Sequence, residues 1–157
     1  MAKALWGASG RGFAALGGRS AELPPMEGTG FLTLMPEPPA LPYEGPEGPW
    51  LNAADLDAYT DLFSASGFFG PVSYYRNLDA NQARAVGLGA DRLSMPSFFI
   101  TGDLDVVRMM DPTGIERMQQ VLPDFRGAVV IPSAGHWVQQ ETPQAFNDAL
   151  LGFLTSL

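Results

Sequence analysis

The stretch SFFITGDLDVV, residues 97–107, carries the pattern that decides the fold. Its apolar run at residues 97–101 is bounded by Pro96 and Gly102, which is typical of a short buried β-strand. A second apolar run, GAVVIPSAG, occupies residues 127–135 and predicts another buried strand. The sequence therefore predicts two strands in the last third of the chain.

A helical pattern follows each predicted strand. The segment DPTGIERMQQVLP, residues 111–123, has apolar residues at helical spacing. The segment TPQAFNDALLGFLTSL, residues 142–157, begins with a possible cap at Thr142 and with Pro143 in the first turn. Strand, helix, strand and helix in this order predict a parallel α/β sheet. Because two strands alone leave exposed edges, we expect them to be the last part of a larger sheet.

The first 90 residues have a different sequence pattern, with a Pro-rich stretch and two predicted helices. Residues 21–50 hold eight of the 14 prolines, so we expect a lid or excursion there, with no regular helix or central strand. Residues 51–67 predict a helix that begins at the N-cap Asn52 and stops at Gly67. A second helix is predicted over residues 72–86.

The composition excludes several classes of protein. A formal net charge of -8, with scattered basic residues, argues against binding to a nucleic-acid backbone. The chain has no cysteine, so it holds no thiolate nucleophile and no cysteine-based zinc site, and a reducing, cytoplasmic location is expected. We expect no membrane segment and no signal peptide, because no apolar run is long enough. No metal ion or cofactor is expected.

Two residues with catalytic potential come just after the predicted strands. Asp105 follows the first strand, and His136, the only histidine of the chain, follows the second. If the strands are neighbours, both side chains reach the carboxyl edge of the sheet, where α/β proteins gather their functional residues. A carboxylate that binds one ring nitrogen fixes the tautomer and leaves the other nitrogen free to accept a proton. Asp103 is an alternative acid, and a purely structural histidine is the alternative interpretation.

Several segments, taken together, resemble a known family. SYYRNLDAN, FFITGDLDVV and SAGHWVQQETP, in this order, resemble the C-terminal half of α/β-hydrolase-fold epoxide hydrolases. The upstream GFLTLMPEPPALP and LNAADLDAYTDLFSASGFFGP are similar to the cap domain of that family. The resemblance implies a partial α/β-hydrolase fold. Residues 1–90 would be a helical cap portion with the Pro-rich excursion, and residues 91–157 the C-terminal βαβα part of the core.

The resemblance also implies a reaction and a role for each site residue. A carboxylate would open an epoxide to a covalent ester, and water would then release a vicinal diol. His136 would be the general base that activates this water, and Asp105 would be its charge-relay acid. Tyr75 would donate a hydrogen bond to the epoxide oxygen. Trp137 and Val107 would line the substrate pocket.

One part of the family's machinery has no counterpart in this chain. The nucleophilic aspartate of the family lies on a strand-to-helix elbow upstream of the cap, and no such elbow is visible here. We therefore expect an N-terminal half, as a separate chain or as missing residues, to supply the nucleophile. A haloalkane or fluoroacetate-type dehalogenase, and a non-catalytic truncated or binding fragment, remain the alternatives.

Overall fold

A computed structural model describes residues 1–15, 35–89 and 93–157 of the chain. Much of the predicted Pro-rich excursion, and the predicted domain boundary between residues 90 and 91, lie outside the described residues. The described elements, in chain order, are α1 (Ala2–Ala8), α2 (Gly10–Ala15), β1 (Tyr43–Gly45), β2 (Gly48–Leu51), α3 (Ala53–Ser66), α4 (Phe69–Arg76), α5 (Leu78–Ala85), β3 (Ser97–Gly102), α6 (Val106–Met110), α7 (Gly114–Val121), β4 (Phe125–Ile131), α8 (Val138–Glu141) and α9 (Pro143–Thr155).

Strands β3 and β4 are neighbours in a parallel sheet. Gly102 at the end of β3 pairs with Ile131 at the end of β4, so both strands finish at the same edge. Helices α6 and α7 form the crossover that a parallel pair requires. The C-terminal helix α9 packs back on the sheet, where Phe153 stacks on Phe98 with ring centroids 5.1 Å apart. The α/β arrangement predicted for the C-terminal third is confirmed.

Strands β1 and β2 form an antiparallel hairpin that the Pro-rich composition did not predict. A two-stranded hairpin tolerates proline because each of its strands is an edge strand with unpaired backbone groups. Gly48 turns the chain with φ of 108°, a conformation that side chains other than glycine rarely adopt. The ring of Tyr43 is 1% exposed, which anchors the hairpin in the interior.

The two helices predicted after the hairpin differ in how well the sequence located them. Helix α3 has the predicted ends, with a capping box between Asn52 and Asp55 and a stop at Gly67, whose φ is 68°. The second predicted helix is instead divided at Asn77 into α4 and α5. The Asn77 side chain donates to the carbonyl of Ser73 at 2.9 Å, a local bond that competes with the helical ladder.

The first 15 residues form two short helices, α1 and α2. Ser9 separates them in an extended conformation. Its hydroxyl donates to the carbonyl of Trp6 at 2.6 Å and accepts from the amide of Gly12 at 3.1 Å. These bonds turn the chain so that Gly10 lies against the loop that follows β4.

Two small clusters of buried apolar side chains hold these elements together. The first joins the N-terminal helix, the hairpin and α3, and consists of Leu5, Tyr43 and Leu51 with Leu56, Tyr59 and Trp137 packed against them. The second lies between the sheet and α9, and consists of Ile131, Ala134 and Val138 with Ile100, Val129, Ala145 and Phe146 packed against them. Within the described ranges, no helix is both long and apolar enough to span a membrane.

Candidate active site

Asp105 lies in the turn after β3 and caps helix α6. Its Oδ1 accepts from the backbone N–H of Val107 at 2.9 Å, and its Oδ2 accepts from the hydroxyl of Thr101 at 3.4 Å. The side chain is only 13% exposed. These bonds fix the orientation of the carboxylate at the carboxyl end of β3.

His136 lies in the loop after β4 and meets Asp105. Its ring Nδ1 is 3.1 Å from Asp105 Oδ1, and its backbone N–H donates to the carbonyl of Ala8 at 2.8 Å. The ring also packs edge-on against Trp137, with centroids 5.0 Å apart. A carboxylate at Nδ1 keeps the ring proton on that nitrogen, so Nε2 of a neutral imidazole is the proton acceptor. The structure thus brings the two strand-end residues together.

The surroundings of this pair shift the pKa of both groups. Burial favours a higher pKa for Asp105, but the hydrogen bonds from His136 and from the Val107 amide, and the attraction of His136, outweigh it and lower the pKa. The hydrogen bond to Asp105 raises the pKa of His136 despite the opposing effect of burial, and the charges of Asp105 and Glu141 add to the increase. The ionised pair is therefore favoured between these two pKa values.

Asp103, the alternative acid, does not contact the histidine. Its backbone N–H donates to the carbonyl of Ile131 at 3.0 Å, which ties the end of β3 to the end of β4. Its Oδ1 is buried without a partner among the described residues. Of the two aspartates, Asp105 is the carboxylate beside His136.

Tyr75 lies on helix α4. Its side chain is 72% exposed, and its ring packs edge-on against Tyr74 with centroids 6.2 Å apart. Between the described residues, no hydrogen bond joins Tyr75 to Asp105 or His136. The catalytic role of Tyr75 therefore stays a prediction.

The chain is similar to curated epoxide hydrolases, although no family model matches it. It is 42% identical over 108 residues to epoxide hydrolase B of Mycobacterium tuberculosis. The aligned region covers 69% of this chain and 30% of that protein. It is 38% identical over 128 residues to epoxide hydrolase A of the same bacterium. Here the aligned region covers 82% of this chain and 37% of that protein. The chain thus spans about a third of the length of these relatives.

Solved structures give the same answer for the fold. An epoxide hydrolase from an endophytic Streptomyces superposes with a TM-score of 0.79 at 30% identity, over 98% of this chain and 44% of that one. Epoxide hydrolase A from Mycobacterium thermoresistibile superposes with a TM-score of 0.76 at 33% identity, over the same shares of 98% and 44%. The chain has the fold of the α/β-hydrolase-fold epoxide hydrolases and is similar to them in sequence. It corresponds to the C-terminal part of this fold, as the sequence predicted.

Two further residues were predicted to line the pocket. Trp137 is half-buried, packs against the cluster around Leu5, and donates from its indole Nε1 to the carbonyl of Leu5 at 2.8 Å. Val107 is 54% exposed, and its backbone holds the carboxylate of Asp105. Both residues adjoin the Asp105–His136 pair, and their contact with substrate stays a prediction.

Glu141 is a buried residue of the site to which the sequence assigned no role. Its carboxylate is 1% exposed and accepts three backbone N–H groups, from Gly10 at 2.8 Å, Gly135 at 3.2 Å and Trp137 at 3.2 Å. Burial raises the pKa of Glu141, and the three N–H bonds oppose that increase. The available signal was its position one helical turn after Trp137 and Val138, both of which face the interior.

A cleft of about 510 Å³ opens between α2, the end of β1 and the loops that follow β3 and β4. It is lined by Gly10, Arg11, Ala14, Gly45, Pro46, Leu104 and Ser133. The lining includes neither Asp105 nor His136, although Leu104 is adjacent to Asp105 in the chain. The described residues contain no group of three or more acidic, histidine or cysteine side chains that could hold a metal ion.

Proposed function

We propose that this chain is the part of an epoxide hydrolase that activates water in the conversion of an epoxide to a vicinal diol. The observation that carries the proposal is the 3.1 Å contact between His136 Nδ1 and Asp105 Oδ1, at the carboxyl ends of β3 and β4. The names of the relatives, which are epoxide hydrolases at 42% and 38% identity, support it. A small-molecule epoxide as substrate and a cytoplasmic location complete the proposal.

The first half of the reaction forms an ester. A carboxylate, supplied by a segment outside this chain, attacks one epoxide carbon, and the bond from that carbon to the ring oxygen breaks. This segment is either a separate chain or additional residues of the same protein. The phenol of Tyr75 donates a proton to the oxygen as the ring opens, which lowers the barrier because an alkoxide is a poor leaving group. The exposure of Tyr75, 72%, leaves its phenol accessible to a substrate.

The second half of the reaction hydrolyses the ester. His136 Nε2 takes a proton from water while the water oxygen attacks the ester carbonyl carbon. The tetrahedral intermediate then expels the diol oxygen, which receives the proton from the imidazolium. The regenerated carboxylic acid returns a proton, through solvent, to Tyr75. Asp105 stabilises the imidazolium throughout, as the elevated pKa of His136 indicates.

The dehalogenase alternative has less support from the site. A halide needs N–H donors that point into the pocket, and the indole N–H of Trp137 is already bonded to the carbonyl of Leu5. The other alternative, a binding fragment without turnover, has the same pair and differs only in whether a nucleophile meets it. A test for turnover, and not the geometry of the site, therefore distinguishes a binding fragment from the proposed enzyme.

Diol formation from an aryl epoxide tests the proposal. The assay uses this chain together with the polypeptide that supplies the rest of the core, and compares it with the same protein carrying His136→Ala. We expect the variant to form the covalent ester and to stop there, because ring opening by a carboxylate does not need the imidazole. Mass spectrometry of the intact protein detects this adduct.

Two adjacent tyrosines provide a matched control for the acid role. Tyr75 and Tyr74 have similar exposures of 72% and 79%, and only Tyr75 is proposed to act on the substrate. We expect Tyr75→Phe to slow ester formation by about 10²-fold and Tyr74→Phe to leave it near the wild-type rate. Undiminished diol formation by His136→Ala would contradict the proposal. A folded wild-type protein that binds the epoxide without ester or diol would establish the non-catalytic alternative.

A further inference from the structure

The carboxylate of Glu141 is buried where a charge is unfavourable. Its side chain is 1% exposed, and its partners in the described structure are three backbone N–H groups instead of a basic side chain. Burial of a carboxylate without a counter-charge is costly unless hydrogen bonds satisfy it. A neutral polar side chain would fill this space at lower cost. The charge therefore requires an explanation beyond packing.

The three N–H groups identify what the carboxylate holds. Gly135 and Trp137 flank His136 in the chain, so one side chain binds both neighbours of the proposed general base. The third donor, Gly10, comes from a segment 131 residues away in sequence. The backbone N–H of His136 itself donates to Ala8 in that same segment, at 2.8 Å. The histidine loop is thus fixed at three consecutive residues.

The two segments meet so closely that only glycine fits between them. A Cβ atom on Gly135 would lie 2.2 Å from the nitrogen of Gly10, and a Cβ atom on Gly10 would lie 2.3 Å from the carbonyl oxygen of Ser133. Both distances are far inside van der Waals contact. Neither glycine can therefore be replaced without moving the segments apart, and the carboxylate of Glu141 bridges them together with the backbone bond from His136 to Ala8.

We propose that Glu141 is a positioning residue of this site, whose buried carboxylate joins the Gly135–Trp137 turn to Gly10 and thereby holds the imidazole of His136 against Asp105. The catalytic consequence of this role rests on the function proposed above. The geometric role does not, since it concerns contacts within this chain. An experiment can therefore contradict the catalytic consequence without contradicting the geometric role.

The charge of Glu141 also acts on His136 directly. Asp105 and Glu141 are the acidic groups of the described residues that raise the pKa of the imidazole, Asp105 by a hydrogen bond and by its charge, Glu141 by its charge alone. A packing role would depend on the volume of the side chain and not on its charge. An isosteric neutral residue at position 141 therefore separates positioning by a carboxylate from mere filling of space.

The experiment compares Glu141→Gln with Glu116→Gln, which removes the same charge from an exposed position on α7. This chain is isotope-labelled and bound to the polypeptide that supplies the rest of the core, so the imidazole resonances of His136, the only histidine of the chain, report its titration without ambiguity. We expect Glu141→Gln to lower the pH midpoint of His136 and to speed hydrogen exchange at the amides of Gly135 and Trp137. We expect Glu116→Gln to change neither. With the complete core present, Glu141→Gln should slow ester hydrolysis roughly ten- to a hundredfold and leave ester formation unchanged.

A measurement on the labelled wild-type chain in the same complex keeps the test decisive if Glu141→Gln does not fold. The amide resonances of Gly10, Gly135 and Trp137 should shift together with pH, with one midpoint above that of an ordinary glutamate, because they share one carboxylate whose pKa burial raises. Independent shifts of these amides would overturn the inference. So would a folded Glu141→Gln that titrates at His136 like wild type. If these NMR results hold and no diol forms, the proposed function fails and the positioning role stands.

Discussion

Two aspartates that are two residues apart have different surroundings, and this difference selects the partner of the histidine. Asp105 accepts from the Val107 amide and contacts His136 Nδ1, whereas Asp103 directs its backbone to the neighbouring strand. Both follow the same strand and carry the same charge. The difference between their partners is therefore a matter of geometry. This makes Asp103 a suitable control for substitutions of Asp105.

We expect Asp105→Asn to lower the pKa of His136, because the hydrogen-bonded carboxylate and its charge are both lost. In the wild type, the elevated pKa of His136 gives stability that is complete below the ordinary pKa of histidine and is lost as the pH rises through the elevated value. The lowered pKa of Asp105 gives stability that is present above the ordinary value and is lost as the pH falls through the lowered value. The free energy of unfolding should thus differ most between wild type and variant in the mildly acidic range between these limits.

Urea unfolding at a series of pH values, together with imidazole NMR, checks this expectation. Asp103→Asn is the control and should leave the titration of His136 unchanged. On the proposed function, and with the rest of the core present, Asp105→Asn should reduce ester hydrolysis by about 10²- to 10⁴-fold, since proton transfer by the imidazole then lacks its stabilising partner. An equal effect of Asp103→Asn would mean that Asp103 reaches the histidine in solution.

Among the elements, helix α9 depends on the hairpin for its N-terminal cap. Thr142 occupies the N-cap position, but its hydroxyl donates to the carbonyl of Val138 at 2.7 Å and accepts no helix N–H. The amides of Gln144 and Ala145 donate instead to the carboxylate of Glu47, at 2.8 and 2.9 Å. Glu47 lies in the turn between β1 and β2. The hairpin thereby stabilises the helix that packs on the β3–β4 sheet.

We expect Glu47→Ala to reduce the free energy of unfolding by about 1 kcal/mol, because two amides of the first turn of α9 lose their acceptor and the helix loses a favourable charge at its N-terminus. Chemical denaturation measures this loss. Glu44→Ala, on strand β1 of the same hairpin, is the control and should cost less because its side chain makes no hydrogen bond to α9 in the described structure. Equal losses in the two variants would show that hairpin charge, and not capping, is responsible.

The elements that the sequence located well are those with local determinants. Strand β3 has an apolar run between Pro96 and Gly102, and α3 has its capping box and its terminal glycine within the helix itself. The placement of Asp105 and His136 at one edge followed from a general property of parallel sheets. For these features, residues close in sequence contain enough information.

The features that the sequence did not reveal depend on distant contacts. The β1–β2 hairpin is stabilised by burial of Tyr43 against Leu5 and Leu51, and a Pro-rich composition masks it. The role of Glu141 depends on Gly10, which lies 131 residues away. The external cap of α9 by Glu47 is likewise non-local. Periodicity and capping patterns do not report such pairings, which only the folded chain creates.

For the whole molecule, the main feature is a large apolar surface on the helices that follow the hairpin. None of the residues of α3, α4 and α5 is buried. Their apolar side chains include several with more than half of their surface exposed, namely Leu62, Phe69, Tyr74, Tyr75 and Leu78. Proteins that are stable as monomers rarely expose large contiguous apolar patches, so we expect these side chains to form an interaction surface. The parallel sheet, with two described strands, also has edges that need a partner.

We therefore expect this chain, when it is purified by itself, to bind the dye ANS and to self-associate, and we expect both properties to decrease when the polypeptide with the rest of the α/β-hydrolase core is added. Fluorescence and analytical ultracentrifugation measure the two effects. Phe69→Ser should weaken dye binding by the chain alone, because Phe69 is 76% exposed on α4. Asp57→Ser, at an exposed polar position of α3, should not. A monomeric chain that binds no dye would mean that its apolar helices pack in solution against this chain itself, and the proposal of a complementing polypeptide would then rest only on the expectation that the nucleophile lies outside this chain.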